Sequence, residues 1–286
     1  VLEPRDPRSV SPLAAVTLAV VAVALTYVLF QGSVALQSLA RGVSWELARA
    51  RVMRDALGLA LVQAAAFALV LFGAVRLHAR DDEPLRETLG LRPLSFPIAL
   101  LALLAGAALQ LPLSELSNLV RAVAPVPMEL LESQQRLLAA SSPFVAFAAF
   151  VSFVVVAPVT EELLFRGIIL RGVRVPDRTL LALGLSSGLF ALSHIGAVSA
   201  LAYALVAGLV LGAVALRTGS TVASIALHAG VNAVPVLLPA RLVQIPGFNT
   251  LAPHVSPALV IGSALVAAVA LGLLSRFAPS ADDGTD

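Results

Sequence analysis

The chain has 286 residues, of which 59% are hydrophobic and only 13% charged, whereas a soluble domain carries about 25% charged residues. With a mean hydropathy of +0.95, a water-soluble globule of this composition would expose large apolar patches. The net charge of +2 rests on nineteen arginines, scattered and without interleaved aromatics, and no lysine; this argues against a nucleic-acid surface. The absence of cysteine excludes disulfides, thiolate catalysis and Cys-based zinc or iron–sulfur sites.

A helix needs about 20 mainly apolar residues to cross the hydrocarbon core. Apolar runs at about 13–31, 55–77, 96–112, 144–160, 180–194, 198–216, 220–238 and 255–275 predict an all-α, polytopic membrane helix bundle with about eight transmembrane helices. The first run belongs to an uncharged stretch from Val10 to Ala40. That is longer than the roughly 7–15 apolar residues of a signal peptide, so it is expected to stay as a helix. Residues 41–54 read as an amphipathic helix at the interface with Trp45 as anchor. Residues 78–95 form a charged loop, and Glu115 to Ser142 a longer polar connection with its own helical segment. Pro158 is expected to interrupt the fourth run.

The acidic tail at 280–286 is expected to be disordered. No internal repeat divides the chain, so 1–286 read as one transmembrane domain. The spans place twelve arginines, among them Arg5, Arg8, Arg80 and Arg174, on one side, and seven, among them Arg41, Arg121, Arg136 and Arg241, on the other. By the positive-inside rule both termini are then cytoplasmic. The composition, rich in Ala, Leu, Val, Arg and Gly, suits a GC-rich bacterium and a multi-pass protein of its cytoplasmic (inner) membrane.

Ionisable residues inside spans cost about 2.5–3.5 kcal/mol each on insertion scales, so their positions are informative. Thr160-Glu161-Glu162 follows Pro158, and Thr160 there suits the cap of a new helix. Glu162 and Arg166 are four residues apart, on one helical face, and can pair. Glu161 lies about 100° round the helix from Glu162 and is left out of that pair. Phe190 and His194 share a second face, and His228 and Asn232 a third.

Each cluster alone has a plain alternative: a membrane-boundary helix start, a satisfied interior histidine, or helix–helix glue. Together they hold nearly all the strongly polar side chains of the membrane-embedded part of this half of the chain. The least costly arrangement brings them around one hydrated cavity. A carboxylate with a histidine can activate water as a general base. A second histidine and an amide can donate to a developing oxyanion.

The series Glu161-Glu162-x-x-x-Arg166, Phe190-x-x-x-His194 and His228-x-x-x-Asn232 resembles, in order and spacing, the three motifs of the CAAX-protease and bacteriocin-processing (CPBP, or Abi) intramembrane endopeptidases. That family includes the type II CAAX prenyl endopeptidase. The resemblance covers about residues 145–240, the expected catalytic core. It implies an intramembrane endopeptidase in which Glu161 and His194 activate water without a metal cofactor. It further implies that His228 and Asn232 form an oxyanion hole, Glu162 and Arg166 a supporting pair, and Phe190 the packing of the site. The partners it implies are the lipid bilayer and a membrane-anchored peptide or protein substrate.

Three other chemistries use the same residues or neighbours. Glu161, His194 and His228 could be the ligands of a catalytic zinc. Gly184-Leu185-Ser186-Ser187-Gly188 fits Gly-x-Ser-x-Gly, although that motif needs a strand–turn–helix elbow and here sits in an apolar helical run. The polar cluster could also serve a transporter or a non-enzymatic membrane scaffold.

Overall fold

A computed structural model describes residues 10–78, 83–129, 131–132, 142–174, 178–194 and 196–277. The expected tail at 280–286 and Arg5, Arg8, Arg80 and Arg136 of the sidedness reading lie outside them. The described residues are all-α, with ten helices: α1 Pro12–Arg41, α2 Trp45–Val52, α3 Ala56–His78, α4 Leu85–Thr88, α5 Phe96–Val123, α6 Pro143–Val173, α7 Thr179–Leu192, α8 Val198–Thr218, α9 Thr221–Leu237 and α10 Pro257–Phe277. Six of these (α1, α3, α5, α6, α8 and α10) are long and apolar enough to cross a membrane, and α7 and α9 are shorter apolar helices. The chain therefore reads as an integral, multi-pass membrane protein.

Local chemistry sets the ends. Ser11 accepts the amide of Ala14 at 3.1 Å ahead of Pro12, and Gly42, at φ +60°, closes α1. The segment expected at the interface forms the short helix α2, capped by Ser44; it buries Ala48 and Val52 against Val34 and leaves Trp45 exposed.

Two expectations change. Helix α5 does not give way to a polar connection at Glu115 but runs through Pro112 to Val123. The reason is that Glu115, Asn118 and Arg121, spaced by three along one face, find partners within the protein. Helix α6 likewise does not restart at Thr160. It is one rod containing two wide π-helical stretches, Phe150–Val156 and Leu163–Leu170, on either side of the α-helical Ala157–Glu162. Proline has no N–H and its ring crowds the carbonyl four residues back; the wide turn before Pro158 lets the rod continue. Thr160 does not cap: its hydroxyl donates to the Val156 carbonyl at 2.8 Å.

Helix α5 is the packing hub, lying against α8, α9 and α10. Its crossing with α9 is glycine on glycine. A Cβ on Gly106 would stand 1.9 Å from the Leu227 carbonyl oxygen, and one on Gly230 would stand 2.0 Å from that of Leu103. This backbone contact brackets His228 and fixes α9 against the bundle.

Candidate active site

The three sequence clusters meet where α6, α7 and α9 converge. Glu162 and Arg166 are both fully buried and pair at 2.8 Å, as their spacing predicts. Arg166 also donates to the Gly208 carbonyl of α8 at 2.9 Å. His228, on α9, places its Nδ1 2.9 Å from Glu162 Oε1. One carboxylate oxygen thus ties two helices together, and its charge is matched by the guanidinium.

Phe190 packs this arrangement from α7. Its ring lies under the Arg166 guanidinium at 4.5 Å, edge-on to Phe165 at 5.3 Å and to His228 at 5.8 Å, and tilted against His194 at 4.7 Å. The cation over the aromatic face is favourable, and the absence of a side chain at Gly208 gives the ring room.

Glu161 lies apart from the ion pair, as its helical phase predicts, with its side chain only 12% exposed. Its Oε1 accepts a hydrogen bond from Gln63 of α3 at 2.9 Å. Its Oε2 is buried without a hydrogen-bond partner. That oxygen stands 3.9 Å from His194 Nε2 and 4.0 Å from His228 Nε2. These gaps are too long for direct hydrogen bonds. They match what one bridging water spans, since two legs of about 2.8 Å at a right angle cover about 4.0 Å.

Hydrogen-bond partners set the imidazole tautomers. His194 Nδ1 lies 2.8 Å from the Phe190 carbonyl oxygen, an acceptor only, so Nδ1 carries the hydrogen. Glu162, ionised beside Arg166, is likewise an acceptor only for His228 Nδ1. In the neutral form both Nε2 atoms are therefore lone-pair acceptors, and they face a third acceptor, Glu161 Oε2. Three acceptors around one point call for shared hydrogens there.

Asn232, one turn beyond His228 on α9, is not joined to this group. Its Nδ2 donates to the Phe153 carbonyl at 2.8 Å, in the first π-helical stretch of α6. An amide nitrogen has two donors, so one N–H remains. Ser186 is buried within α7 and donates to the Phe165 carbonyl at 2.8 Å, in a helix and not at an elbow. Among the described residues, no group of three or more His, Cys, Asp or Glu side chains is arranged to hold a metal ion. Past Asn232, Pro235 lines a cavity of about 670 Å³ shared with Arg121, Arg241, Phe248 and His254.

Gln63 has no place in the three motifs. The signal for it was its isolation, because it is the sole strongly polar residue of α3 before Arg76. An amide in an apolar span requires a partner.

An all-helical bundle that brings two carboxylates together with a buried and a part-exposed histidine has the make-up of a membrane-embedded hydrolase. The family model described as type II CAAX prenyl endopeptidase Rce1-like matches residues 143–234, so the chain carries a domain of that peptidase family, as its motifs imply. No curated protein and no solved structure matches the chain.

Proposed function

We propose that the protein is an intramembrane endopeptidase that hydrolyses a peptide bond in a membrane-associated protein or peptide, with a water activated by Glu161. The observation that supports this most is the buried, unpartnered Oε2 of Glu161 facing both Nε2 atoms at 3.9 and 4.0 Å. A water bridging these atoms gives one hydrogen to Glu161 or His194 as its oxygen attacks the substrate carbonyl. The new carbon–oxygen bond turns the carbonyl oxygen into an oxyanion. Collapse of that intermediate breaks the carbon–nitrogen bond, and the proton taken from water passes to the leaving amine.

His228 and Asn232 are proposed to stabilise the oxyanion. Because His228 Nδ1 is committed to Glu162, donation from Nε2 requires the imidazolium. Glu162 and Arg166 then hold His228, and Phe190 packs beneath the reacting groups. The cavity that Pro235 lines, one turn along α9 from Asn232, is the proposed seat of a substrate segment. In this reading all eight apolar helices cross the bilayer as a single domain, with residues 145–240 as its catalytic core and the termini on the arginine-rich side.

The test is cleavage of internally quenched peptides bearing a farnesyl anchor, by the full chain in liposomes. Wild-type protein should release fluorescence and Glu161→Ala should not; equal rates would refute the assignment. Dialysis against a strong chelator should leave the rate unchanged. Loss of activity that zinc restores would instead assign Glu161, His194 and His228 as metal ligands. Full function in a Glu161→Gln strain would point to a scaffold.

A further inference from the structure

Gln63 lies on α3, outside the matched residues 143–234, yet its side chain reaches the proposed general base. Its Nε2 is 2.9 Å from Glu161 Oε1 and 3.3 Å from Thr160 Oγ1. The Thr160 hydroxyl already donates to the Val156 carbonyl, so towards Gln63 it accepts. Both N–H bonds of the amide are thereby directed at two successive residues of α6. A primary amide nitrogen can only donate, so this geometry has one polarity: Gln63 gives and Glu161 receives.

That asymmetry matters because the two carboxylate oxygens are chemically equivalent until something distinguishes them. The terminal torsion of a glutamate is broad and roughly two-fold. Left alone, Glu161 could turn its oxygens towards or away from the imidazoles at little cost. With Oε1 engaged by Gln63, Oε2 is the oxygen that faces His194 and His228. We infer that Gln63 is a positioning residue, which selects Oε2 of Glu161 as the proton-accepting oxygen and holds it towards both histidines. This rests on the reading of Glu161 as the base. It makes the N-terminal half of the chain part of the machinery and not only a membrane anchor.

The experiment uses the full chain in liposomes with the farnesylated quenched peptides. Gln63→Met keeps the length and apolar packing of the side chain and removes both donors. It should lower kcat about 10- to 100-fold with KM unchanged, the pattern of a misplaced catalytic group. In the infrared spectrum, the carboxylate band that disappears in Glu161→Gln should shift in Gln63→Met, because it loses its hydrogen-bond donor. Gln63→Glu should lose more activity than Gln63→Met, since a second carboxylate at this distance shares the proton Glu161 must accept. An unmoved band, a change confined to KM, or a kcat within about twofold of wild type would overturn the inference while an inactive Glu161→Gln left the proteolytic reading standing. Wild-type cleavage by Glu161→Gln would instead defeat the proteolytic reading itself.

Discussion

Among the described residues, a glutamate and a histidine meet at hydrogen-bond distance in two settings. At the convergence of α6, α7 and α9, Glu162 meets His228 at 2.9 Å, and both are buried. At the end of α5, Glu115 meets His254 at 2.8 Å, with the histidine side chain 51% exposed. Both oxygens of the second carboxylate are engaged: besides His254 it accepts from the Asn118 side chain at 2.9 Å and the Val255 amide at 2.8 Å. Asn118 in turn donates to the Gly247 carbonyl at 2.9 Å, so the loop before α10 is tied down onto α5. In the first setting Glu162 Oε2 has no hydrogen-bond partner, and the neighbouring Glu161 has its own unpartnered Oε2 beside two imidazoles. The same two residue types thus make a fastening where both carboxylate oxygens are engaged, and the proposed reactive group where an oxygen facing the imidazoles is left without a partner.

The largest effect expected from this contrast is on rate. Glu161→Gln removes the proposed base without changing shape and should lower peptide cleavage by roughly 10²–10⁴-fold, the usual contribution of general-base catalysis. Glu115→Gln, measured beside it, should leave kcat unchanged; comparable losses in the two variants would erase the distinction. Next comes stability. Arg166→Met leaves Glu162 charged and fully buried, which typically costs about 3–5 kcal/mol, and thermal unfolding in detergent should fall accordingly. Preservation of the melting temperature would mean that Glu162 finds its compensation elsewhere.

A smaller effect comes from the crossing that holds His228 in place. Gly230→Ala inserts a Cβ 2.0 Å from the Leu103 carbonyl oxygen, so α5 and α9 must separate. Overpacking of this kind costs about 1–3 kcal/mol, and in this position it should also reduce kcat, because α9 carries both His228 and Asn232. Gly262→Ala on α10, where a Cβ meets nothing within 4 Å, is the matched control.

What could be read from sequence follows the range of the interactions. The eight apolar runs lie close to the observed helices because membrane insertion is decided within each run. The pairing of Glu162 with Arg166 was legible because a four-residue helical spacing fixes it. The meeting of the clusters followed from the cost of leaving polar groups in lipid. The contact of Gln63 with Glu161 spans 98 residues and depends on how α3 crosses α6, which no local pattern encodes. The continuity of α6 past Pro158 was hidden for another reason: proline marks a break in an α-helix, and the preceding π-helical stretch is a tertiary accommodation. Helix α5 ran beyond its apolar segment because Glu115 and Asn118 are satisfied by a loop more than 120 residues away in sequence.

The smallest effect sharpens the comparison most. His254→Ala removes a half-exposed partner from Glu115, whose carboxylate retains the Asn118 and Val255 donors. Exposed pairs contribute about 0–1 kcal/mol, so the melting temperature should move little and kcat not at all. His228→Ala removes the same residue type from a buried carboxylate that is also linked to Arg166. It should abolish cleavage and destabilise the fold more than His254→Ala does. If His254→Ala were as damaging as His228→Ala, the loop at the end of α5 would have to be counted with the reacting groups, through the cavity that Pro235 and His254 both line. The ordering of these two substitutions therefore separates burial with an unsatisfied neighbour from mere pairing as the property that makes a glutamate–histidine contact reactive.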